Sequence, residues 1–470
     1  MWQGSIAEAM GWDARSAAVG VACGIGVCEV VRLVVRLRRT RGGSGGAPVK
    51  ESTIRLMTRI AMESGAVNLS QGFPNEAPPR AMTCAAAGAL LAGESAAAAG
   101  AMAARLEALF ADADASGRKR KDALNQYSFP YGAPELRSAI QRYYARWYPS
   151  VEADAAKNVT VVMGATEGFA ASIRALTEPG DAVAFFEPFH ELYPSQLAIF
   201  GLEPRAVTLR ADDAAWSFDA RELDEKLRGA KLLLFNDPHN PTGHRFSDAE
   251  KDVVAELCAK HDVVCVTDEI YEHIYFEGDR YESLAARPDM RSRTVVVNSI
   301  SKTAKATGWR IGWVVASEAR TAKIRAVHDQ LVACCPTPLQ LGVAALLGDE
   351  KTDATHLAAI ADEYRAKRDA LAAALRTAGF VLGPVPKGSY YLFVAYGDVP
   401  ALRGMTPTEA ALHMTREVKV ACVPGDNFYL GPSKLDKDLG QKYLRFAFVR
   451  SLDVIEDAAR NLAALRPPRE

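Results

Sequence analysis

The feature that most restricts the fold of this chain is the alternation of short apolar segments with amphipathic ones between residues 125 and 345. The apolar segments, rich in β-branched residues, are VTVVMG, AVAFF, LLLFN, VVCVT and TVVVNS. Continuous apolar segments of this length are typical of strands that are buried on both faces. Segments between them, such as ELRSAIQRYYARW and SDAEKDVVAELCAKH, have helical character. The pattern predicts an α/β domain with a mostly parallel sheet covered by helices.

One helix start in this region is marked by its capping residues. Ser247 precedes the helical segment DAEKDVVAELCAK, and Glu250 lies three residues after Ser247. A serine followed at this spacing by glutamate predicts a capping box at the first turn of the helix.

The C-terminal part of the chain follows another pattern. A long helical segment, HLAAIADEYRAKRDALAAALRTAG, precedes three predicted strands, SYYLFVAY, VKVACV and YLRFAFV. This order indicates a smaller α+β domain. The predicted organisation is an N-terminal extension (1–50), a first segment of the small domain (51–83), an alanine-rich insertion (84–122), the large domain (123–345) and the small C-terminal domain (346–470).

Composition limits the classes of ligand. The chain has 470 residues, 49% of them hydrophobic, which suffices for a core and for more than one domain. The formal net charge of -1 provides no field that would attract nucleic acid, so a small-molecule ligand is expected. None of the eight cysteines forms a CxxC pair, and the histidines complete no zinc pattern. These features predict a reduced intracellular protein without a metal.

The first fifty residues differ from the rest of the chain. An apolar segment leads into EVVRLVVRLRRTR, in which the charged residues recur at helical spacing, and GGSGG follows as a flexible linker. A membrane-spanning helix would have to bury Glu29 and Arg32, which is costly. A mitochondrial transit peptide, a membrane-surface anchor touching lipid only through residues 17–39, and an unstructured extension all remain open. The predicted location is the cytoplasm or the mitochondrion.

Polar motifs follow the predicted strands, where ligands of parallel α/β sheets bind. Small residues that open a helix form an anion site through their backbone amides. A lysine between hydroxyl residues, with an arginine nearby, combines a nucleophilic amine with hydrogen-bond donors for a phosphate group. The carboxylate of Asp268 is either a helix cap or a partner for a cationic group. The motifs are GATEG (164–168), NDPHNPTG (236–243), DEIY (268–271) and SISKTAKATGWRIGW (299–313).

In this order, the four motifs resemble those of the class I/II family of fold-type-I pyridoxal-phosphate aminotransferases. The resemblance extends from about Ala66 to Leu465, and SISKTAKATGWRIGW preceded by NPTG and DEIY is a highly specific combination. It implies a large domain with a mostly parallel, seven-stranded sheet and a smaller α+β domain. It also implies bound pyridoxal phosphate and a homodimer with shared active sites.

The resemblance further implies roles for individual residues. Lys302 would bind the cofactor covalently and then move the substrate proton. Asp268 would pair with the pyridine nitrogen. The ring would also contact Asn240, Ile270, Tyr271 and His190. The phosphate would be bound by Ser299, Arg310, the amides of Ala165 and Thr166, and Tyr127 from the neighbouring subunit. The substrate would be bound by Arg445 through its carboxylate, together with Asn240 and Gly72.

Arg445 has an unusual position in its strand, and His190 departs from the pattern of the family. Arg445 lies in the apolar strand YLRFAFV, where it shares a face with Tyr443 and Ala447. An arginine in such a strand needs a partner, and its forked guanidinium suits a carboxylate. His190 stands where the family usually has a phenylalanine or tyrosine stacked on the ring. Because imidazole titrates near neutral pH, we expect a weaker or pH-sensitive stack.

Within the family, the segments VNLSQGFPNEAPP, NQYSFPYGAPELR and EPFHELYPSQ are most similar to the kynurenine/glutamine/methionine aminotransferase branch. Such enzymes transfer the amino group of a neutral or aromatic amino acid to a 2-oxo acid. Two alternatives remain. A cysteine-S-conjugate β-lyase would use the same residues to expel a leaving group, and a binding protein would retain the fold without catalysis.

Overall fold

The computed structural model describes residues 125–465, apart from 213, 214, 279 and 432–438, together with residues 82, 86–88 and 90. The predictions for the N-terminal extension, for Gly72 and for most of the alanine-rich insertion lie outside these residues. The described chain forms two compact units. The first unit contains residues 176–296 and 355–465, and the second unit contains residues 125–175 and 297–354.

The predicted strands and helices of the α/β region are present. The described helices are α1 (Pro134–Trp147), α2 (Gly164–Leu176), α3 (Leu192–Phe200), α4 (Ala220–Leu227), α5 (Asp248–Lys260), α6 (Ile300–Thr303), α7 (Glu318–Val332), α8 (Thr337–Gly348), α9 (Glu350–Thr377), α10 (Pro407–Arg416) and α11 (Leu452–Leu462). The described strands are β1 (Val159–Val162), β2 (Ala182–Glu187), β3 (Glu203–Thr208), β4 (Arg210–Ala211), β5 (Trp216–Ser217), β6 (Ala230–Asn236), β7 (Val264–Asp268), β8 (Thr294–Ser299), β9 (Gly312–Val315), β10 (Tyr391–Ala395), β11 (Val423–Pro424) and β12 (Tyr443–Ala447). Within the described residues, no helix is long and apolar enough to cross a membrane.

The main sheet of the described chain has seven strands in the order β1-β9-β8-β7-β6-β2-β3. In the first unit, β2 pairs in parallel with β3 and with β6, and β6 pairs in parallel with β7. In the second unit, β1 and β9 are antiparallel. Every residue of β1, β2, β8 and β9 is buried, as continuous apolar strands require. The prediction of a mostly parallel α/β sheet is confirmed.

Aromatic side chains pack against β2 and β6 in the first unit. The rings of Phe186 and Phe235 both pack against Phe246, with centroid distances of 5.3 and 4.6 Å. Phe246 precedes Ser247, the N-cap residue of α5, and the predicted capping box of this helix is confirmed. The amide of Glu250 donates to the Ser247 hydroxyl, and Glu250 Oε2 accepts from the Ser247 amide at 2.8 Å. The start of α5 is thus fixed against the sheet.

A smaller antiparallel sheet in the first unit has the order β10-β12-β11. The predicted alternation in β12 is confirmed, because Leu444 and Phe446 are buried while Arg445 lies on the opposite face. The predicted strand VKVACV is largely wrong, since β11 contains only Val423–Pro424. Lys419 has a φ of 61°, and this left-handed conformation cannot continue an extended strand.

A buried ion pair fixes the loop that follows β6. Lys251 Nζ lies 2.7 Å from Asp237 Oδ2, with side chains only 2% and 0% exposed. Lys251 also donates to the carbonyl of Glu282 at 2.7 Å, and Asp237 Oδ1 accepts from the amide of Phe246 at 3.2 Å. Both charges therefore have partners, and the loop is attached to α5.

We expect Lys251→Met to lower the free energy of unfolding by about 3–5 kcal/mol, because removing one partner leaves the Asp237 carboxylate buried and uncompensated. Lys260→Met on the same helix is the matched control. Its side chain is 55% exposed and pairs with Asp224, so the change should cost less than about 1 kcal/mol. Urea unfolding followed by circular dichroism measures both. Equal losses in the two variants would contradict a structural role for the buried pair.

Candidate active site

In the second unit, the turn between β1 and α2 is packed closely against Arg310. Gly164 opens α2 with a φ of 70°, and a Cβ at this position would lie 2.4 Å from Arg310 Nη2. A Cβ on Gly312, at the start of β9, would lie 2.7 Å from the carbonyl oxygen of Asn298 and 3.1 Å from the amide nitrogen of Ala165. Only glycine at these two positions allows the guanidinium and the strands to approach the turn.

Arg310 itself has a strained backbone. Its φ of 54° is left-handed, which is uncommon and costly for a residue other than glycine. Its Nη1 donates to the carbonyl of Thr307 at 2.9 Å, and Nη2 lies 3.5 Å from Met163 O and from Thr166 Oγ1. The strain therefore accompanies a guanidinium directed at the beginning of α2.

Together these residues form what we call the anion cradle, consisting of Gly164, Ala165, Thr166 and Arg310. The first amides of α2 have no partner within the helix and carry its positive dipole end. A guanidinium beside them adds a full positive charge and hydrogen-bond donors. Three residues that were predicted to bind the phosphate, Ala165, Thr166 and Arg310, are thus adjacent in the structure.

Ser299 has a structural role that the sequence did not indicate. Its hydroxyl oxygen accepts from the amide of Ser301 at 3.1 Å and so caps α6, the single turn that carries Lys302. The hydroxyl also donates to the carbonyl of Ile311 at 2.9 Å. Ser299 therefore fixes the short helix of Lys302 and connects it to the start of β9. The side chain of Lys302 is partly exposed.

In the first unit, Asp268 lies at the end of β7 and is buried. Its Oδ2 accepts from the hydroxyl of Tyr193 at 2.8 Å. Burial, together with the adjacent carboxylate of Asp268, raises the pKa of Tyr193 well above its usual value. The phenol therefore stays protonated and remains a donor. Sequence reasoning missed Tyr193, although it lies in EPFHELYPSQ, three residues after His190.

The side chain of Asn236 connects the two neighbouring strand ends. Asn236 and Asp268 face each other in the parallel register of β6 and β7. Asn236 Nδ2 donates to the carbonyl of Asp268 at 3.0 Å, and its Oδ1 accepts from the amide of Asn240 at 2.7 Å. This bridge fixes Asn240 relative to Asp268. Both residues were predicted to contact the cofactor ring, which requires such a fixed arrangement.

Tyr271 and Ile270 follow Asp268 and are both buried. The hydroxyl of Tyr271 lies 3.3 Å from that of Tyr391, a residue of β10 that the sequence did not mark as functional. Burial is the main cause that raises the pKa of Tyr271 well above its usual value, so this phenol is a neutral hydrogen-bond donor.

Arg445 is held by one amide and two aromatic rings. Its Nη1 donates to Asn240 Oδ1 at 2.9 Å, and its guanidinium carbon lies 4.3 Å from the ring centroid of Tyr391 and 4.7 Å from that of Phe428. Within the described residues, its buried Nε has no hydrogen-bond partner. A buried donor in this state costs about 1–3 kcal/mol, so the geometry suits an anionic ligand such as a carboxylate.

The ring of His190 has a defined orientation. Its Nδ1 accepts from the amide of Leu192 at 3.1 Å, and its centroid lies 5.7 Å from that of Tyr193. A ring nitrogen that accepts an N–H carries no proton, so the neutral imidazole is the form that fits. The pH-sensitive stack stays a prediction, and protonation would require the loss of this backbone contact.

Tyr127 has a side chain that is 48% exposed, and its contact with a neighbouring subunit stays a prediction. Within the described residues, no cluster of three or more histidine, cysteine, aspartate or glutamate side chains can hold a metal ion.

Glu269, next to Asp268, is also buried, and its Oε1 accepts from the hydroxyls of Thr267 at 2.8 Å and Ser283 at 2.6 Å. Burial raises the pKa of Glu269 to about 7. The folded chain therefore keeps this proton up to about pH 7, whereas a glutamate in the unfolded chain loses it near about pH 4. Across this window the folded state loses stability as the pH rises.

Glu269→Gln removes this loss, so the variant should gain stability relative to the wild type as the pH rises from about 4 to about 7. Urea unfolding at stepped pH measures the difference. Glu256→Gln, at an exposed position of α5, is the control for removing one carboxylate. A difference between Glu269→Gln and the wild type that stays constant over this range would contradict the raised pKa.

Comparison with known proteins identifies the family to which this arrangement belongs. The family model described as aminotransferase class I and II matches residues 93–462. A probable N-succinyldiaminopimelate aminotransferase of Mycobacterium tuberculosis is 31% identical, covering 89% of this chain and 97% of the relative. Kynurenine--oxoglutarate transaminase 1 of Mus musculus is 30% identical, covering 87% of this chain and 93% of the relative. The methionine aminotransferase of Escherichia coli is 32% identical, covering 87% of this chain and 94% of the relative.

Solved structures of the same kinds of aminotransferase are similar to this chain in fold. The N-succinyldiaminopimelate aminotransferase from Mycobacterium tuberculosis superposes with a TM-score of 0.68 at 30% identity, covering 90% of this chain and all of that one. The methionine aminotransferase from Escherichia coli gives a TM-score of 0.67 with the same identity and coverage. The motifs, the sheet and the family match therefore agree, and this chain belongs to the class I and II aminotransferases, with their fold-type-I architecture.

Proposed function

We propose that this protein is a pyridoxal-phosphate-dependent aminotransferase that transfers the amino group of a neutral or aromatic L-amino acid to a 2-oxo acid by a ping-pong reaction. The observation that best supports the proposal is the contact between Asn240 and Arg445 at 2.9 Å. One amide side chain thereby connects the residue expected at the cofactor ring with the arginine expected at the substrate carboxylate.

The chemistry of the described residues fits this cofactor. The anion cradle suits its phosphate, and the buried carboxylate of Asp268 suits a protonated ring nitrogen. Asn240 and the neutral phenol of Tyr271 suit the ring oxygen, and Lys302 supplies the amine. When bound, pyridoxal phosphate supplies the electron sink that stabilises the carbanion formed at the substrate Cα.

The protein residues would then act as follows. Arg445 binds the substrate carboxylate through its free Nε and its fork, oriented by Asn240 and the two aromatic rings. Lys302 removes and returns the Cα proton as a general base and acid. Tyr193 holds Asp268 so that its charge remains directed at the ring nitrogen.

The proposed substrate class rests on two kinds of support. Tyr391 and Phe428 place aromatic surface beside Arg445, which favours an apolar or aromatic side chain. The mouse and Escherichia coli relatives are named for kynurenine and methionine, but the mycobacterial relative, which is equally similar, is named for N-succinyldiaminopimelate. A test of donors must therefore include an N-succinylated diamino dicarboxylate.

We also propose a homodimer in which the exposed Tyr127 reaches the site of the partner subunit. A cytoplasmic or mitochondrial location is proposed, with the N-terminal extension acting as a transit peptide or as a membrane anchor through residues 17–39.

The direct test is the visible spectrum of the full-length protein loaded with pyridoxal phosphate. We expect the absorption band of the lysine-bound cofactor to disappear when an effective L-amino acid is added without an oxo acid. Glutamine, methionine, kynurenine, phenylalanine, aspartate and N-succinyldiaminopimelate form the panel. Lys302→Ala should lack the band. Lys305→Asn is the matched control, because Lys305 is exposed and asparagine tolerates its φ of 53°, so the band should remain.

Two outcomes would overturn the proposal. If the wild type never develops the band, a binding protein becomes the better interpretation. If the band persists with every amino acid of the panel, and a cysteine S-conjugate added in a separate reaction yields pyruvate and ammonia, the protein is a β-lyase.

The aromatic contacts of Arg445 lead to a second prediction. Phe428→Leu should weaken binding of carboxylate substrates and inhibitors by roughly 2- to 30-fold, since a partly desolvated cation–π contact contributes about 0.5–2 kcal/mol. Phe380→Leu is the control, because Phe380 is buried against Phe446 on the other face of β12. KM for the amino donor and Kd for an unreactive carboxylate analogue measure the effect. Similar losses in both variants would show a general packing defect instead.

A further inference from the structure

A buried pair of ionisable side chains lies directly behind the anion cradle. His328 of α7 is 1% exposed and Glu167 of α2 is also buried. His328 Nδ1 lies 3.1 and 3.2 Å from the two carboxylate oxygens of Glu167. Neither residue was marked as functional by the sequence, although Glu167 lies within GATEG.

The two ring nitrogens of His328 define the charge of the pair. Nε2 lies 3.0 Å from the carbonyl oxygen of Pro130, which only accepts, so Nε2 carries a hydrogen. Nδ1 faces the carboxylate, and one proton must lie between them. The pair is therefore either imidazolium with carboxylate or neutral imidazole with a carboxylic acid, and its net charge is zero in both forms.

Glu167 connects this pair to the cradle. Its Oε2 accepts from the amide of Met163 at 3.1 Å, and the carbonyl of the same residue faces Arg310 Nη2 at 3.5 Å. Glu167 thus fixes the backbone of Met163, the residue that immediately precedes Gly164. Within the described residues, His328 is the one basic side chain within ion-pair distance of Glu167. Removing His328 would leave a buried negative charge within one helical turn of the proposed phosphate site.

His328 also connects the cradle to the segment that carries Tyr127. The same segment is held by α8, where Gln340 accepts from the amide of Ala133 at 2.7 Å and Thr337 Oγ1 donates to the carbonyl of Gln126 at 3.3 Å. The pair therefore lies between the turn that would bind this subunit's phosphate and the segment proposed to reach the partner subunit.

We propose that Glu167 and His328 are positioning residues for phosphate recognition. They hold the amides at the start of α2 in place and keep the space behind them electrically neutral. The proposal rests on the function proposed above, because it concerns the phosphate of the same cofactor. Neither residue is proposed to contact the cofactor.

The test compares binding of pyridoxal phosphate with binding of pyridoxal, which lacks the phosphate, to the full-length protein freed of cofactor. In His328→Gln, we expect the affinity for pyridoxal phosphate to fall about tenfold or more, because a buried carboxylate without a basic partner lies within one helical turn of the proposed phosphate site. The affinity for pyridoxal should change much less. The double variant Glu167→Gln/His328→Gln should recover part of the loss, since it removes the buried charge.

Asn158→Ala is the matched control. Asn158 is buried in the same unit and bonds to the carbonyl of Ala316 at 2.8 Å and to the amide of Asp154 at 3.1 Å, at the other end of β1 from the cradle. We expect it to lower the thermal midpoint without changing the ratio of the two affinities.

The outcomes separate the two proposals. If the wild type binds no pyridoxal phosphate, the proposed function fails. If the wild type binds it but His328→Gln retains wild-type affinity, or loses affinity for both compounds equally, the positioning role is wrong. A double variant that binds no better than the single variant would contradict the charge argument.

Discussion

The parallel pairing of β6 with β7 is the constraint on which the candidate site residues of the first unit depend. This register places Asn236 opposite Asp268, and the side chain of Asn236 then bonds to both Asp268 and Asn240. Since Asn240 in turn bonds to Arg445, a single hydrogen-bonded path runs from a strand of the main sheet to a strand of the smaller one. A shift of one residue in this register would turn Asn236 to the other face and break the path.

Buried polar groups near this path remain in the protonation states that their partners require. Tyr193 and Tyr271 stay protonated because burial raises their pKa values, and Tyr193 therefore donates to Asp268. Lys251 and Asp237 are buried as an ion pair at 2.7 Å, so the loop carrying Asn240 is attached to α5 without an uncompensated charge. The same requirement explains the neutral pair of Glu167 and His328 in the second unit, where a net negative charge would oppose an anion.

Close approach of backbone segments is the second physical requirement. Gly164 and Gly312 leave room for Arg310 and for adjacent strand ends, and a Cβ at either position would collide with them. Arg310 adopts a left-handed backbone at some cost in free energy. The strain at Arg310 occurs where amides and a guanidinium converge, as is common at functional sites.

The sequence by itself determined the α/β class, five of the seven strands of the main sheet (β1, β2, β6, β7 and β8), the capping box of α5 and the family, because apolar periodicity and motif spacing are local properties. It also marked Asp268, Asn240 and Arg445 as candidate site residues, because they follow or occupy strands with recognisable patterns. It did not identify Tyr193, Tyr391, Phe428 or His328, and it placed a long strand where Lys419 prevents one. Only the tertiary structure decided these, because their partners are brought together by strand register and helix packing rather than by spacing along the chain.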